Sequence, residues 1–166
     1  MILGLKNCYR WMLITFYSGQ KPKEGRNSWN KNDLTEMDAA VGLTNYEHDP
    51  KTGKSTRKNP SKGRDSYAYP PLTKFTIYRG KKGKDSRTVR DGGSGWAYSR
   101  KGAPNGVAVD EWLDLWTPNN AEALKKGTEV DLVSTEVQDD CPCPDGWFDN
   151  KNITIPEHLQ KIKDAI

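Results

Sequence analysis

The sequence predicts an α+β fold: an antiparallel sheet or small barrel in the middle of the chain, with short helices toward the N- and C-terminal ends. Within residues 67–137, apolar and polar residues alternate in several short runs, which is typical of strands. The 15 glycines and 10 prolines are spread along the chain, which favours many turns. Runs with helical spacing occur nearer both ends. A length of 166 residues predicts a single domain, 1–166.

The apolar run Trp11–Tyr17 has two interpretations. Because Lys6 and Arg10 precede it, residues 1–19 fit the short limit of a signal peptide, and a secreted protein is then possible. The alternative is an N-terminal strand or short helix packed in the core. With seven residues, the run is too short to span a membrane.

A short helix is predicted over Asn32–Leu43. Thr35 and Asp38 have the spacing of a capping box, with Asp in place of the usual Glu. Apolar residues follow at helical spacing, and Gly42 can end the helix. The polar stretch that comes next predicts a hairpin tip or a mobile basic loop over 49–66.

The middle of the chain contains three predicted strands: Thr73–Gly80, Ser86–Arg90 and Gly95–Arg100. In the first strand the alternation puts Phe75 and Ile77 on one face. Asn105–Gly106 predicts a hairpin turn within 102–106.

The run Val107–Trp116 is ambiguous, but its apolar residues fit one helical face with Asp110 as the N-cap. The next run, Thr117–Gly127, has helix punctuation at both ends, since Pro118 fits the first helical position after a Thr cap.

Two elements complete the predicted fold. Thr128–Val137 has apolar residues on both faces, which is typical of a central strand. The run Thr154–Ile166 predicts a C-terminal helix with Leu159 and Ile162 on its apolar face, packed against the sheet.

Charge is strongly segregated along the chain. Residues 51–101 contain fifteen Lys/Arg and three Asp/Glu, net +12, whereas residues 102–166 contain five and thirteen, net −8. A basic block attracts anionic partners and makes binding depend on salt. The acidic block allows two copies to meet head to tail. Alternatively, the two blocks neutralise each other inside one fold.

Recognisable catalytic motifs are few. The stretch Gly53–Thr56, GKST, resembles the end of a phosphate-binding loop, but His48 stands where the first glycine is required. No G-x-S-x-G nucleophile motif is present. The acids around Trp112 are candidates because an aromatic wall raises a carboxyl pKa; they are Asp110, Glu111 and Asp114. An amphipathic helix with its acids in water is the favoured interpretation of the same pattern.

The stretch Asp139–Asn150 holds two of the three cysteines. An odd number favours mostly reduced thiols, with a Cys141–Cys143 bridge or a pairing of Cys8 as alternatives. Zinc lacks a fourth Cys or His ligand here, and the spacing of a calcium EF-hand is absent. The stretch is therefore interpreted as a rigid acidic connector anchored by Trp147 and Phe148, and neither a metal site nor a cofactor is predicted.

Three functions remain open, and the preferred one is a non-enzymatic structural or assembly protein, which the composition suggests is viral. A nucleic-acid-binding module is the alternative, because aromatic residues lie among the cations of 51–101. The third is an enzyme of an unrecognised family, with Arg79, Asp110, Glu111 and Asp114 as the candidate residues. The predicted binding residues are Lys74, Arg79, Lys81, Lys82, Lys84, Arg87, Arg90, Trp96, Tyr98, Arg100 and Lys101.

These hypotheses imply particular partners and locations. The expected partner is another protein or further copies of the chain, or else a nucleic acid. A membrane span is not expected. A cytoplasmic or virion-associated location is favoured, and secretion depends on the signal-peptide interpretation.

Overall fold

The computed structural model describes residues 4–18, 34–42, 46–48, 55–57, 69, 72–92 and 107–166. The strands are β1 Leu5–Tyr17, β2 Asp38–Val41, β3 Tyr46–His48, β4 Ser55–Arg57, β5 Lys74–Tyr78, β6 Lys84–Gly92, β7 Trp112–Trp116 and β8 Glu129–Gln138. The helices are α1 Asn120–Lys126 and α2 Glu157–Ala165.

Six strands close into a barrel in the order β1-β7-β2-β6-β5-β8. The prediction of a small barrel with few helices is thereby confirmed. Two features differ from the prediction. The barrel is not wholly antiparallel, because β1 runs parallel to β7 and β2 parallel to β6. It is also not confined to the middle of the chain, because β1 and β2 are two of its strands.

The run Trp11–Tyr17 lies in β1, a strand of 13 residues. It pairs with β8 over Leu5–Ile14 and with β7 over Leu13–Tyr17. The interpretation as an N-terminal strand packed in the core is the one found in the structure.

The helix predicted over Asn32–Leu43 is wrong where the structure describes it, because β2 occupies Asp38–Val41. The capping contacts do form. The Thr35 N–H donates to the Asp38 carboxylate at 2.7 Å, and the Thr35 hydroxyl accepts from the Met37 N–H at 3.2 Å. All four residues of β2 are buried. The barrel interior covers one face of β2 and its other face is also buried, so the strand lacks the exposed side that an amphipathic helix has.

The predicted strands around residue 80 are confirmed as β5 and β6, joined by a 3₁₀ turn at Gly80–Lys82. Phe75 and Ile77 point into the barrel and are buried, as their alternation predicts. The predicted strand over Gly95–Arg100 and the turn over 102–106 lie outside the described residues.

The helix suggested by the run Val107–Trp116 is wrong. A short 3₁₀ turn, Val109–Glu111, leads into strand β7. Leu113 and Leu115 face the barrel interior, whereas Trp112 packs on the outside against α2.

The helix predicted after residue 117 is confirmed, but its cap lies two residues further on. The Asn119 side chain accepts from the Glu122 N–H at 2.8 Å, whereas Thr117 is buried and bonds to the Tyr17 carbonyl. Gly127 ends the helix with a φ of 67°, a conformation suited to glycine.

Strand β8 is central, since it pairs with β1 and β5, and α2 covers one side of the barrel. The core therefore has two parts. One fills the barrel and includes Met12, Ile14, Val89 and Val133. The other lies between the barrel wall and α2; it contains Leu13, Val107, Trp112, Val130 and Leu159. Each fully buried large side chain contributes about 1.5–3 kcal/mol.

Strands β3 and β4 pair antiparallel, which agrees with the predicted hairpin. The rest of the predicted mobile loop, 49–66, lies outside the described residues. Within the described part of the chain, neither helix has the length and apolar character needed to cross a membrane.

Candidate functional site

The predicted basic residues fall into three groups. Arg79, Arg87 and Arg90 form internal ion pairs with Glu129, Asp85 and Asp38. Four lysines are exposed to solvent: Lys74, Lys81, Lys82 and Lys84. Trp96, Tyr98, Arg100 and Lys101 lie outside the described residues.

Arg87 is a structural residue rather than a surface cation, since only 4% of its side chain is exposed. Its Nε donates to Asp85 at 2.8 Å, and its Nη1 donates to the main-chain carbonyls of Asp38 and Trp116 at 3.0 and 2.7 Å. The guanidinium thus joins β6 to the ends of β2 and β7.

A second charged group closes the same end of the barrel. Arg79 donates to both oxygens of Glu129 at 3.0 and 3.2 Å, and Lys82 donates to one of them at 2.8 Å. Although partial burial acts in the opposite direction, these bonds lower the pKa of Glu129 to about 2. Burial and the adjacent Glu129 carboxylate raise the pKa of Asp131 to about 7.

Two of the three candidate acids have structural partners. Arg10 donates to Asp110 at 3.2 Å and to Glu111 at 3.3 Å, and Tyr69 donates to the Asp110 carbonyl. His158, which is half-exposed, bonds Glu111 at 2.6 Å. Asp110 and Glu111 therefore hold the 3₁₀ turn against β1.

The third candidate, Asp114, lies in a row of side chains on the outside of the barrel. Strand pairing sets Thr15 beside Asp114, Asp114 beside Ala40, and Ala40 beside Asp91. Because the neighbours of Asp114 in β7 fill the barrel interior, its own side chain points outward. Two aspartates thus share one face, separated by a strand that carries only a methyl group there.

Asp114 is buried, with only 7% of its surface exposed, and this burial raises the pKa of its carboxyl group to about 7. The negative charge of Asp91 adds to this shift, whereas a bond from the Thr15 hydroxyl, at 2.8 Å, opposes it. The Trp112 indole N–H donates to the same hydroxyl at 2.7 Å and fixes its orientation. Asp114 is therefore an oriented carboxyl group that is largely protonated just below neutral pH.

Asp91 is held by two donors. The Tyr17 hydroxyl donates to one carboxylate oxygen at 2.9 Å, and the Gly92 N–H donates to the other at 2.9 Å. Asp38, on β2, is 3% exposed and pairs with Arg90 at 3.1 Å. Aspartates therefore occur on three adjacent strands, β7, β2 and β6.

Two buried polar atoms lie at the edge of this row. The Ser18 hydroxyl and the Trp116 indole N–H have no hydrogen-bond partner among the described residues. Trp116 pairs with Tyr17 across β1 and β7, and Ser18 follows Tyr17 directly. Buried polar groups normally have partners, so these two atoms are available to a polar ligand.

Sequence reasoning missed Asp91, Thr15 and Tyr17. Each follows an apolar or basic stretch with no motif around it, and nothing local marks it as functional. Only the parallel pairing of β1 with β7 and of β2 with β6 brings them together. Pairing between strands so far apart in the chain cannot be read from alternation alone.

The prediction of mostly reduced cysteines is wrong, because Cys8 and Cys143 form a disulfide; this is the alternative in which Cys8 is paired. Cys141 is free and exposed. The bridge ties the acidic connector to β1, and Trp147 is buried in the core, as predicted. Phe148 is 50% exposed and anchors the connector through its main chain, which bonds to Tyr9.

Among the described residues, no cluster of three or more potential ligands is arranged for a metal ion.

The chain matches no protein-family model, and no curated protein matches it.

Proposed function

We propose that the row Thr15–Asp114–Ala40–Asp91 is the active site of an acid–base enzyme, with Asp114 as the general acid. The observation that carries this proposal is the burial of the Asp114 carboxyl group on the face that Asp91 shares, which raises the pKa of Asp114 to about 7. A carboxyl group that keeps its proton near neutral pH, beside a second carboxylate, is the arrangement used for acid–base catalysis.

The two carboxyl groups have different roles in this proposal. Asp114 donates its proton to a leaving oxygen, and Thr15 and Trp112 keep it oriented. Asp91, which accepts hydrogen bonds from Tyr17 and Gly92, acts as the base that takes a proton from the attacking water, or as the negative partner of the positive charge that develops. Cleavage of a glycosidic bond uses such a pair, so a glycoside is the proposed class of substrate.

The unpartnered Ser18 hydroxyl and Trp116 indole N–H support a substrate rich in hydroxyl groups. They lie beside Tyr17, at the edge of the row. A hydroxyl group both donates and accepts, so it can pair with either of these two atoms.

The test measures the release of reducing ends from a panel of polysaccharides by the wild type and by three variants. We expect Asp114→Asn and Asp91→Asn to lose activity by about 10²–10⁴-fold, because each removes proton transfer or its partner. Asp149→Asn, on the exposed connector, is the matched control and keeps full activity. Wild-type activity falls as the pH rises past about 7, when Asp114 loses its proton.

Full activity of Asp114→Asn would rule out its role as the acid. A wild type that cleaves no polysaccharide in the panel would exclude the proposed substrate class.

A second candidate function is docking of an anionic partner, as the charge pattern predicts. Its support is the convergence of two basic segments at one end of the barrel. The Phe16 ring lies 5.0 Å from the Arg79 guanidinium and 5.4 Å from the Lys126 ammonium, which brings the turn at Gly80–Lys82 close to the end of α1. The exposed lysines there suit either the acidic face of a second copy or the phosphates of a nucleic acid.

Light scattering over a salt series, with the absorbance ratio at 260 and 280 nm, distinguishes these partners. Assembly through the lysines gives a mass above one chain that falls as salt increases. Bound nucleic acid gives a high ratio that salt removes. The double variant Lys81→Glu/Lys84→Glu should abolish either effect, and a monomer free of nucleic acid at every salt concentration would contradict this second function.

A further inference from the structure

Strands β5 and β8 separate at one end of the barrel. Their pairing extends only over Thr76–Tyr78 and Leu132–Ser134. Beyond this point β8 continues to Gln138 but pairs only with β1 among the described strands. Four residues of β8, 135–138, therefore have one edge that no described strand covers.

The main-chain groups at this edge can be assigned from the neighbouring bonds. The N–H and C=O of Tyr9 both bond to Phe148, so Ser134, opposite Tyr9, directs its own groups away from β1. Because these directions alternate along a strand, Glu136 and Gln138 also direct their N–H groups away from β1. The bond from the Asp139 N–H to the Gly4 carbonyl agrees with this alternation.

The opposite side of the gap is formed by the start of β5. The Thr135 hydroxyl donates to the Lys74 carbonyl at 2.8 Å, which fastens the two strands where they diverge. Past this bond, the N–H groups of Glu136 and Gln138 lie beyond the end of the β5–β8 ladder. Unpaired main-chain donors on a strand edge are a template for another strand.

The two sides of the gap differ in polarity. A groove of about 550 Å³ lies on one side, with apolar walls that include Leu5, Leu72, Val137 and Trp147. Leu5 and Leu72 are exposed by 63% and 53%. A second groove, of about 380 Å³, has mixed walls, in which Thr76, Thr88 and Ser134 lie beside Met37 and Phe75. Lys74 and Glu136 line both grooves.

We propose that this gap binds an extended peptide strand, which pairs with β8 at Glu136 and Gln138. Alternate side chains of such a strand point to opposite sides, so one set enters the apolar groove and the other meets the mixed groove, where Thr76, Thr88 and Ser134 offer polar groups. The peptide that fits best alternates apolar with polar or charged residues, since Lys74 and Glu136 offer charges of both signs. This binding site goes beyond the proposed catalytic row and does not depend on it.

Hydrogen exchange measured by NMR tests this proposal on the intact chain. The probe is a capped hexapeptide of alternating valine and threonine. In the free protein, the amides of Glu136 and Gln138 should exchange rapidly and those of Thr135 and Val137 slowly. Saturating peptide should slow the Glu136 and Gln138 amides by about tenfold or more.

A pair of matched variants checks where the peptide lies. Leu5→Lys places a charge in the apolar groove and should weaken binding of the peptide by about tenfold. Leu124→Lys changes a leucine of α1 that is also exposed, lies away from the gap, and should leave the affinity unchanged.

Three outcomes would overturn the proposal. Protection of Glu136 and Gln138 at every protein concentration would mean that the chain covers its own edge. Protection that increases with protein concentration would assign the edge to a second copy. Exchange that the peptide does not slow would mean that the gap does not bind strands.

Discussion

Asp114 illustrates how one residue type acquires different properties from its position. Asp110 and Asp114 are four residues apart and looked equivalent in the sequence. Asp110 is exposed and pairs with Arg10, whereas Asp114 is buried, has no cation partner among its described contacts, and has a pKa of about 7. The difference arises because this segment is a strand and not the predicted helix. In the strand, Asp114 lies between Thr15 of β1 and Ala40 of β2.

The raised pKa of Asp114 makes stability depend on pH. Its folded-state pKa lies above the ordinary 3.8, so its contribution to stability is complete below about pH 4 and is lost as the pH rises through about 7. We expect Asp114→Asn to be more stable than the wild type at pH 8, by at most about 4 kcal/mol, and to show much less of this gain at pH 5. Urea unfolding at both pH values measures the difference.

Asp149→Asn, on the exposed connector, is the control for that experiment and should track the wild type at both pH values. An Asp114→Asn effect of equal size at pH 5 and pH 8 would mean that ionisation is not its cause.

Glu129 has the opposite dependence on pH. Its folded-state pKa of about 2 lies below the ordinary 4.5, so its contribution is present above about pH 4.5 and is lost as the pH falls through about 2. We expect Glu129→Gln to lower the free energy of unfolding at pH 6 by about 1–2 kcal/mol, after allowance for solvent screening. Chemical denaturation at pH 6 and pH 2 should show the deficit shrinking, and a deficit that persists at pH 2 would point to packing instead.

At the scale of elements, local patterns predicted the strands and helices that depend on local chemistry. The alternation of apolar and polar residues was sufficient to predict β5 and β6, and Gly127 was sufficient to predict where α1 ends. The failures were β2 and β7, in which residues on both faces are buried, so that neither strand alternates between buried and exposed positions. Five residues such as Trp112–Trp116 match helical and strand spacing equally well, and only their neighbours decide between the two.

The cap of α1 offers a test at this scale. We expect Asn119→Ala to destabilise the protein by about 1 kcal/mol, because the bond to the Glu122 N–H is lost. Asn120→Ala, at the next exposed position, should have little effect. Thermal unfolding of both variants measures this, and equal melting temperatures for the two would show that Asn119 does not act as the cap.

At the scale of the whole molecule, the basic and acidic blocks partly neutralise each other. Arg79 and Lys82, from the basic block, both pair with Glu129, from the acidic block. The exposed lysines at positions 74, 81 and 84 remain for other partners. The sequence predicted the charge layout but not which cations form internal pairs and which stay exposed, because internal pairing depends on which strands become neighbours. The proposed catalytic row was beyond prediction for the same reason.

The disulfide joins positions 135 residues apart and so connects nearly the whole chain. A cross-link lowers the conformational entropy of the unfolded chain, and it does so more strongly the longer the loop that it closes, which stabilises the folded state. We expect Cys143→Ser to lower the free energy of unfolding by about 2–5 kcal/mol, as seen in urea denaturation. It should also free the connector that Cys143 fastens to β1.

Cys141→Ser is the matched control, because Cys141 is exposed and unbridged. It should leave stability unchanged and reduce the titratable thiols of the native protein from one to none. If Cys141→Ser instead destabilises the protein as much as Cys143→Ser does, the bridge is formed by Cys141. The connector would then be closed on itself, and β1 would be held by its strand pairing alone.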